Sequence, residues 1–194
     1  AEAADADILA ARTAIEAAQE GFAAWSALPF TERAHLMLKA ADAVERRKDD
    51  LIEALRAEGG GWIGKGMFEA GYVAEVFRAA AAATYLPLGE VMPSEHRKLS
   101  MAVRRPMGVV TVISPWNFPA LLTSRGFAFP MAAGNAIVLK PSEETPYSGG
   151  LFFAELFHEI GAPPGVLNVV TCGRERVAEV GDELIENPMV KGIS

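Results

Sequence analysis

Three short segments bring together residue types that could act on a ligand. The first is Ser114-Pro115-Trp116-Asn117-Phe118-Pro119. Its two prolines fix the backbone on either side of Trp116 and Asn117. An amide held in one place could donate a hydrogen bond to a developing negative charge, or it could cap the helix that follows. The residues favour the two readings equally. The second segment is Lys140-Pro141-Ser142-Glu143-Glu144. An ammonium and a carboxylate three positions apart can reach different hydroxyls of one sugar, and a carboxylate there grips a ribose and disfavours a 2′-phosphate. The competing reading is a solvated turn with a weak surface ion pair, and this is preferred for Glu144. The third segment is Thr171-Cys172-Gly173. A lone cysteine invites a nucleophilic role. Only Arg174 and Arg176 stand near in sequence to activate it, so inert packing or contact with the edge of a cofactor is preferred.

Other motifs are set aside. Gly59, Gly61 and Gly64 spell GxGxxG, and Gly59, Gly64 and Lys65 spell most of a P-loop, with Gly66 where Ser or Thr would hold magnesium. Both motifs need a strand before them, whereas here a helix precedes, so the segment reads as an inter-helix loop. His35, His96 and His158 have no metal-ligand spacing. One cysteine excludes an internal disulfide and a cysteine-based zinc site. Arg97, Lys98, Arg104 and Arg105 read as a sheet edge kept soluble by charge.

The elements that must position the three segments change character near residue 100. Before it the chain is alanine-rich and helical. Ile8, Ala11, Ile15, Ala18, Phe22 and Trp25 form one apolar stripe, and Pro29 stops that helix. Thr31 is the expected cap of the next, which carries Leu36, Ala40, Ala43 and Val44. Leu51, Ile52 and Leu55 extend the pattern until Gly59-Gly60-Gly61 breaks it. A helix over 67–85 carries Val73, Val76, Phe77, Ala80 and Thr84. Residues 99–105 read as an exposed strand. Val109–Ile113, Ala136–Leu139 and Val166–Val170 are continuous apolar runs expected in strands buried on both faces, and Val190–Ser194 begins a fourth. Helices are expected between them: 146–160, with Thr145 as cap, Pro146 first and Gly161 as stop, and 174–186, weakened at Gly181. The β-α-β-α-β-α-β order predicts an α/β fold with a doubly wound parallel sheet. Ligands of such sheets bind at the carboxyl ends of the strands, where the three segments lie.

The chain has 194 residues, with 18 Lys and Arg against 25 Asp and Glu, a net charge of −7. Apolar residues make up 51% and charged ones 22%, which excludes a disordered chain. The acidic balance argues against a nucleic-acid partner. The first residues, AEAADAD, lack a signal peptide's basic and apolar regions. The uncharged run from Pro106 to Ser124 is broken by Pro115, Asn117 and Pro119, which argues against a membrane span. A cytoplasmic location is expected. A chain that stops inside its fourth core strand is expected to be part of a longer polypeptide.

SPWNFP (114–119), VLKPSEETP (138–146) and PPGVLNVVT (163–171) fall in one order, at three successive core strands. In these motifs, in the N-terminal helices and in the 105–110 approach to the first strand, the chain resembles the aldehyde dehydrogenase superfamily over essentially its whole length. TCGRE (171–175) and the 59–101 region make it most similar to bacterial enzymes of the benzaldehyde, vanillin and salicylaldehyde type. The resemblance implies a Rossmann-like fold divided into an N-terminal helical region (1–98), an exposed strand that helps pair subunits (99–105) and the first part of the NAD-binding sheet (106–194), without the catalytic domain. It implies that Asn117 donates to the oxyanion formed on thiolate attack. Ile113, Ser114, Pro115 and Trp116 would line the nicotinamide cleft. Lys140, Ser142 and Glu143 would serve the cofactor, Lys140 and Glu143 at the adenosine ribose, with NAD implied over NADP. Cys172 and Gly173 would lie beside the adenine, and Leu121, Leu122 and Arg125 along the substrate tunnel. The implied reaction oxidises an aldehyde to the acid through a cysteine thiohemiacetal and thioester, in a dimer or tetramer. The family's nucleophile, its water-activating glutamate and its next glycine motif are not among these residues, so the segment by itself is expected to be inactive. A CoA-acylating relative, or a non-catalytic dinucleotide-binding or assembly module, are the alternatives.

Overall fold

The structure, a computed structural model, describes residues 3–194. Four helices come first: α1 (Ile8–Ala27), α2 (Phe30–Arg46), α3 (Lys48–Gly59) and α4 (Ile63–Ala83). Asp7 starts α1 by accepting the Ala10 N–H at 2.8 Å. The expected stripe of α1 is buried at Ala11, Ile15, Ala18 and Trp25. Thr31 is not the cap of α2. Pro29 already sets an extended backbone (φ −52°, ψ 146°), and the helix begins at Phe30. Arg33 fastens that corner, donating to the Leu28 carbonyl at 2.5 Å and the Ala132 carbonyl at 3.2 Å. Gly60, at φ +59°, ends α3 in a left-handed turn that favours glycine. The next helix, α4, begins earlier than the apolar pattern suggests, because Trp62 offers its carbonyl to Lys65 and Gly66.

A two-stranded antiparallel hairpin follows, β1 (Gly89–Met92) with β2 (Ser100–Val103). The strand expected at 99–105 is therefore present, shorter than read and with a partner that the sequence did not reveal. The main sheet comprises β3 (Val109–Ile113), β4 (Ala136–Lys140), β5 (Leu167–Val169) and β6 (Val190–Ile193). Its strands are parallel, in the order β5-β4-β3-β6. Central β4 is buried along its whole length. At the sheet edge β5 is half-buried, not fully buried, since among the described residues no strand pairs along its outer edge.

The connecting helices are α5 (Pro119–Ala132), α6 (Phe152–Glu159) and α7 (Val177–Glu186). The single helix expected over 146–160 begins instead with a wide turn, in which the Leu151 N–H reaches the Pro146 carbonyl at 3.0 Å. Thr145 does not cap it: among the described residues its buried Oγ1 has no hydrogen-bond partner. Glu58, at the end of α3, takes that role, accepting from the Tyr147 and Ser148 N–H groups at 2.8 Å each and the Ser148 hydroxyl at 2.6 Å. Similarly, a short 3₁₀ turn at Arg174–Arg176 precedes α7.

Helices cover both sheet faces. On one, Phe77, Phe127, Phe153 and Phe157 form an aromatic cluster with centroids 5.2–6.3 Å apart, packed with Val110, Val112, Ile137 and Leu139. On the other, Ile15 and Ala18 of α1 meet Val109, Ala136, Val138, Val180 and Leu184. Here α1 crosses the turn before β5 at a glycine pair. A Cβ at Gly21 would lie 2.6 Å from the Val166 nitrogen, and Gly165, at φ +78°, faces the Ala17 carbonyl. No helix among the described residues is long and apolar enough to cross a membrane.

Candidate functional site

The three segments converge because their strands are neighbours. Ile113 pairs with Lys140 in the β3–β4 register. The Ser114 N–H donates to the Lys140 carbonyl at 3.0 Å, and the Val170 N–H to the Leu139 carbonyl at 2.8 Å. The strand order reverses between β3 and β6, the switch point at which a doubly wound sheet opens a crevice.

At the end of β3, Pro115, Trp116 and Asn117 are exposed together, as is Ile113. Ser114 differs: its hydroxyl turns inward to Thr123, whose own hydroxyl donates to the Gly149 carbonyl at 3.0 Å. The Asn117 side chain does not cap α5. The capping position falls on Phe118, without a side-chain cap bond. Among the described residues the Asn117 amide has no hydrogen-bond partner. Of its two sequence readings, the cap is excluded.

At the end of β4, Lys140 is buried and donates from Nζ to the Pro141 carbonyl at 3.2 Å. Ser142 turns its hydroxyl to the Glu144 N–H at 3.2 Å. Arg174 meets Glu143 at 3.4 Å and Glu144 at 2.7 Å. With its side chain more than half exposed, Glu144 is the surface ion pair its sequence context suggests. For Glu143, its own backbone N–H, then the Lys140 ammonium and the Arg174 guanidinium, hold the carboxyl below the usual carboxylate range, against the effect of partial burial. A depressed value keeps the charge through neutral pH; its contribution is present above the unfolded value of about 4.3 and is lost only as pH falls through the folded one.

Ser142, Glu143, Thr171, Cys172 and Gly173 line one cavity of about 240 Å³ with Asp5. Sequence reasoning missed Asp5. It accepts the Gly173 N–H at 2.9 Å and meets Arg176 at 3.4 Å, while the Ala6 N–H donates to the Thr171 carbonyl at 2.9 Å. No local pattern could have signalled a contact between the two ends of the chain. Burial pushes the Cys172 thiol up, and Asp5 and Glu143 add to this, with Lys140 opposing. A protonated thiol is a poor nucleophile. At pH 7.5, iodoacetamide is expected to alkylate Cys172 in the folded protein at least about tenfold more slowly than an unstructured cysteine peptide. Peptide mass mapping checks this, and equal rates would overturn it. Among the described residues no group of three His, Cys, Asp or Glu side chains could hold a metal.

A four-stranded parallel sheet with helices on both faces and its loops gathered at one carboxyl edge defines a doubly wound α/β protein of the Rossmann type. The comparisons carry the assignment further. The chain belongs to the aldehyde dehydrogenase family, whose model matches residues 1–194. It is 38% identical over 182 residues to benzaldehyde dehydrogenase [NAD(+)] of Pseudomonas putida, covering 93% of this chain and 37% of that one. Against the mitochondrial succinate-semialdehyde dehydrogenase of Rattus norvegicus it is 36% identical over 195 residues, covering 98% and 36%. The crystal structure of a salicylaldehyde dehydrogenase from Pseudomonas putida G7, complexed with salicylaldehyde, superposes with a TM-score of 0.94 at 34% identity, covering 98% of this chain and 39% of that one. The chain thus spans well under half the length of these relatives.

Proposed function

We propose that these residues form the nucleotide-binding part of an NAD-linked dehydrogenase that oxidises an aromatic aldehyde to its acid. The observation that carries the reading is the exposed, unpartnered Asn117 amide at the end of β3, beside the Lys140–Glu143 turn. The turn fits a nucleotide's ribose on its own chemistry. Lys140 is a buried ammonium whose three N–H donors exceed its one protein acceptor, and Glu143 is an ionised acceptor close by. When bound, NAD would supply the hydride acceptor. Lys140 and Glu143 would hold the ribose hydroxyls, and Glu143 would repel a 2′-phosphate. Ile113, Pro115 and Trp116 would line the cleft toward the nicotinamide, and Cys172 and Gly173 would lie at the adenine end. Asn117 donates its amide N–H to the oxygen that gains charge as a thiolate adds to the aldehyde carbon. Cys172 is not that thiolate, being buried, protonated and placed after β5. The likeness to benzaldehyde and salicylaldehyde dehydrogenases supports the aromatic substrate.

Steady-state oxidation of benzaldehyde, salicylaldehyde and succinic semialdehyde, each with NAD and NADP, tests the reading in the protein from its full reading frame. The aromatic aldehydes with NAD should give the highest kcat/KM, and Glu143→Gln should narrow the preference for NAD by about tenfold. A higher kcat/KM for succinic semialdehyde would remove the aromatic assignment. Equal use of NADP by the wild type would remove the role of Glu143.

A further inference from the structure

Glu69 lies on α4, outside the three segments in sequence, and is fully buried. A buried carboxylate is costly unless it is paired and hydrogen-bonded, and both of its oxygens are engaged. One forms an ion pair with Lys65. The other accepts the Leu121 backbone N–H at 3.2 Å. Leu121 is the third residue of α5, whose first residue, Pro119, has no N–H and whose capping position carries no side-chain bond. A carboxylate from another helix therefore completes the first turn of α5, where negative charge is favourable. The Lys65 ammonium also sits 4.6 Å from the centroid of the Phe118 ring, within range of a cation–π contact. Phe118 and Leu121 follow Asn117 by one and four positions, and Asn117 has no side-chain partner to orient it.

We infer that Glu69, together with Lys65, positions the Ser114–Pro119 loop and through it the Asn117 amide. The link to catalysis rests on the oxyanion role proposed for Asn117. Glu69 and Lys65 are positioning residues: they act on the loop through the Leu121 N–H and the Phe118 ring. Misplacing a catalytic donor by about an ångström is enough to cost up to a hundredfold in rate.

The test measures kcat, aldehyde KM, nucleotide dissociation and amide hydrogen exchange over 115–122 in the protein from its full reading frame. Glu69→Ala and Glu69→Gln are each made alone and on an Asn117→Ala background. Exchange over 115–122 should rise in Glu69→Ala, with kcat down roughly tenfold to a hundredfold and both binding constants within about threefold. Glu69→Gln keeps an acceptor for the Leu121 N–H and should restore much of the rate. On the Asn117→Ala background, Glu69→Ala should cost less than about twofold more, since the two act through one donor. Unchanged exchange over 115–122, or the same loss on both backgrounds, would overturn the inference. If Asn117→Ala retains wild-type kcat, the oxyanion role falls by itself and the exchange result decides whether Glu69 holds the loop. Should Glu69→Ala not fold, Glu69→Gln and Lys65→Met carry the same exchange measurement with the same two outcomes.

Discussion

Replacing Asn117 with Ala is expected to lower the proposed turnover by about 10²–10³-fold, roughly 3–4 kcal/mol of transition-state stabilisation, and to leave nucleotide affinity within about threefold. The size of the effect follows from where the amide stands. It is exposed at the carboxyl end of β3 with no side-chain partner among the described residues, so its donors are free for the oxygen on which charge would develop in the proposed reaction. It is also flanked by Pro115 and Pro119, so little reorganisation is needed as the charge appears. A donor that engages only the developing charge changes kcat more than binding. Steady-state rates and nucleotide titration, run side by side, separate the two. Turnover equal to the wild type would remove Asn117 from the chemistry, and a loss confined to nucleotide affinity would reassign it to the cofactor cleft.

The second large effect concerns stability. Gly21→Ala is expected to destabilise the fold by about 3 kcal/mol. Its Cβ would enter the space held by the backbone of Gly165 and Val166, including the Val166 nitrogen at 2.6 Å. Backbone cannot move aside as the end of a flexible side chain can, so α1 must lift from the sheet. Gly165 cannot relieve the clash, because it is already at φ +78° against Ala17. Gly71→Ala is the matched control: it is also within a helix, but its Cβ meets nothing within 4 Å, and it should be neutral or stabilising by up to about 1 kcal/mol. Denaturant midpoints of the two variants decide the matter. Equal midpoints would mean that α1 crosses the sheet less closely than the structure shows.

These two positions differ in how far they could be read from the chain. The prolines around Asn117 marked a fixed loop, and the β-branched run before it marked a strand, so the place of the amide at a ligand-facing edge was legible locally. The parallel sheet was legible for the same reason: Val109–Ile113 and Ala136–Leu139 are too apolar for strands with a wet face. Gly21 gave no sign, since a glycine in a helix has meaning only once the element crossing it is known. The capping carboxylates were equally hidden. Glu58 serves an N–H group 89 residues away and Glu69 one 52 residues away, whereas capping patterns in sequence extend only a few residues. Sequence alone therefore points to Thr145 as a cap that Glu58 supplies instead. The hairpin partner β1 was missed because Gly-Glu-Val-Met shows no alternation and is exposed along almost its whole length. Asp5 was missed because its partner, Gly173, is 168 residues distant.

The placement of α1 also sets an order of events during synthesis. Its apolar stripe divides: Trp25 joins the core shared with α2 and α4, whereas Ala11, Ile15 and Ala18 lie in the core on the other sheet face. Ile15 and Ala18 rest on β3, β4 and the inner face of α7, against Val180 and Leu184. At ribosomal rates of about 5–20 residues per second, roughly 8–30 s separate the completion of α1 from the appearance of α7. For that interval the face of α1 that carries Ile15 and Ala18 lacks Val180 and Leu184, while α2 and α4 can already pair. This segment of the nascent chain therefore stays exposed to chaperones and to self-association along α1 until α7 has been translated.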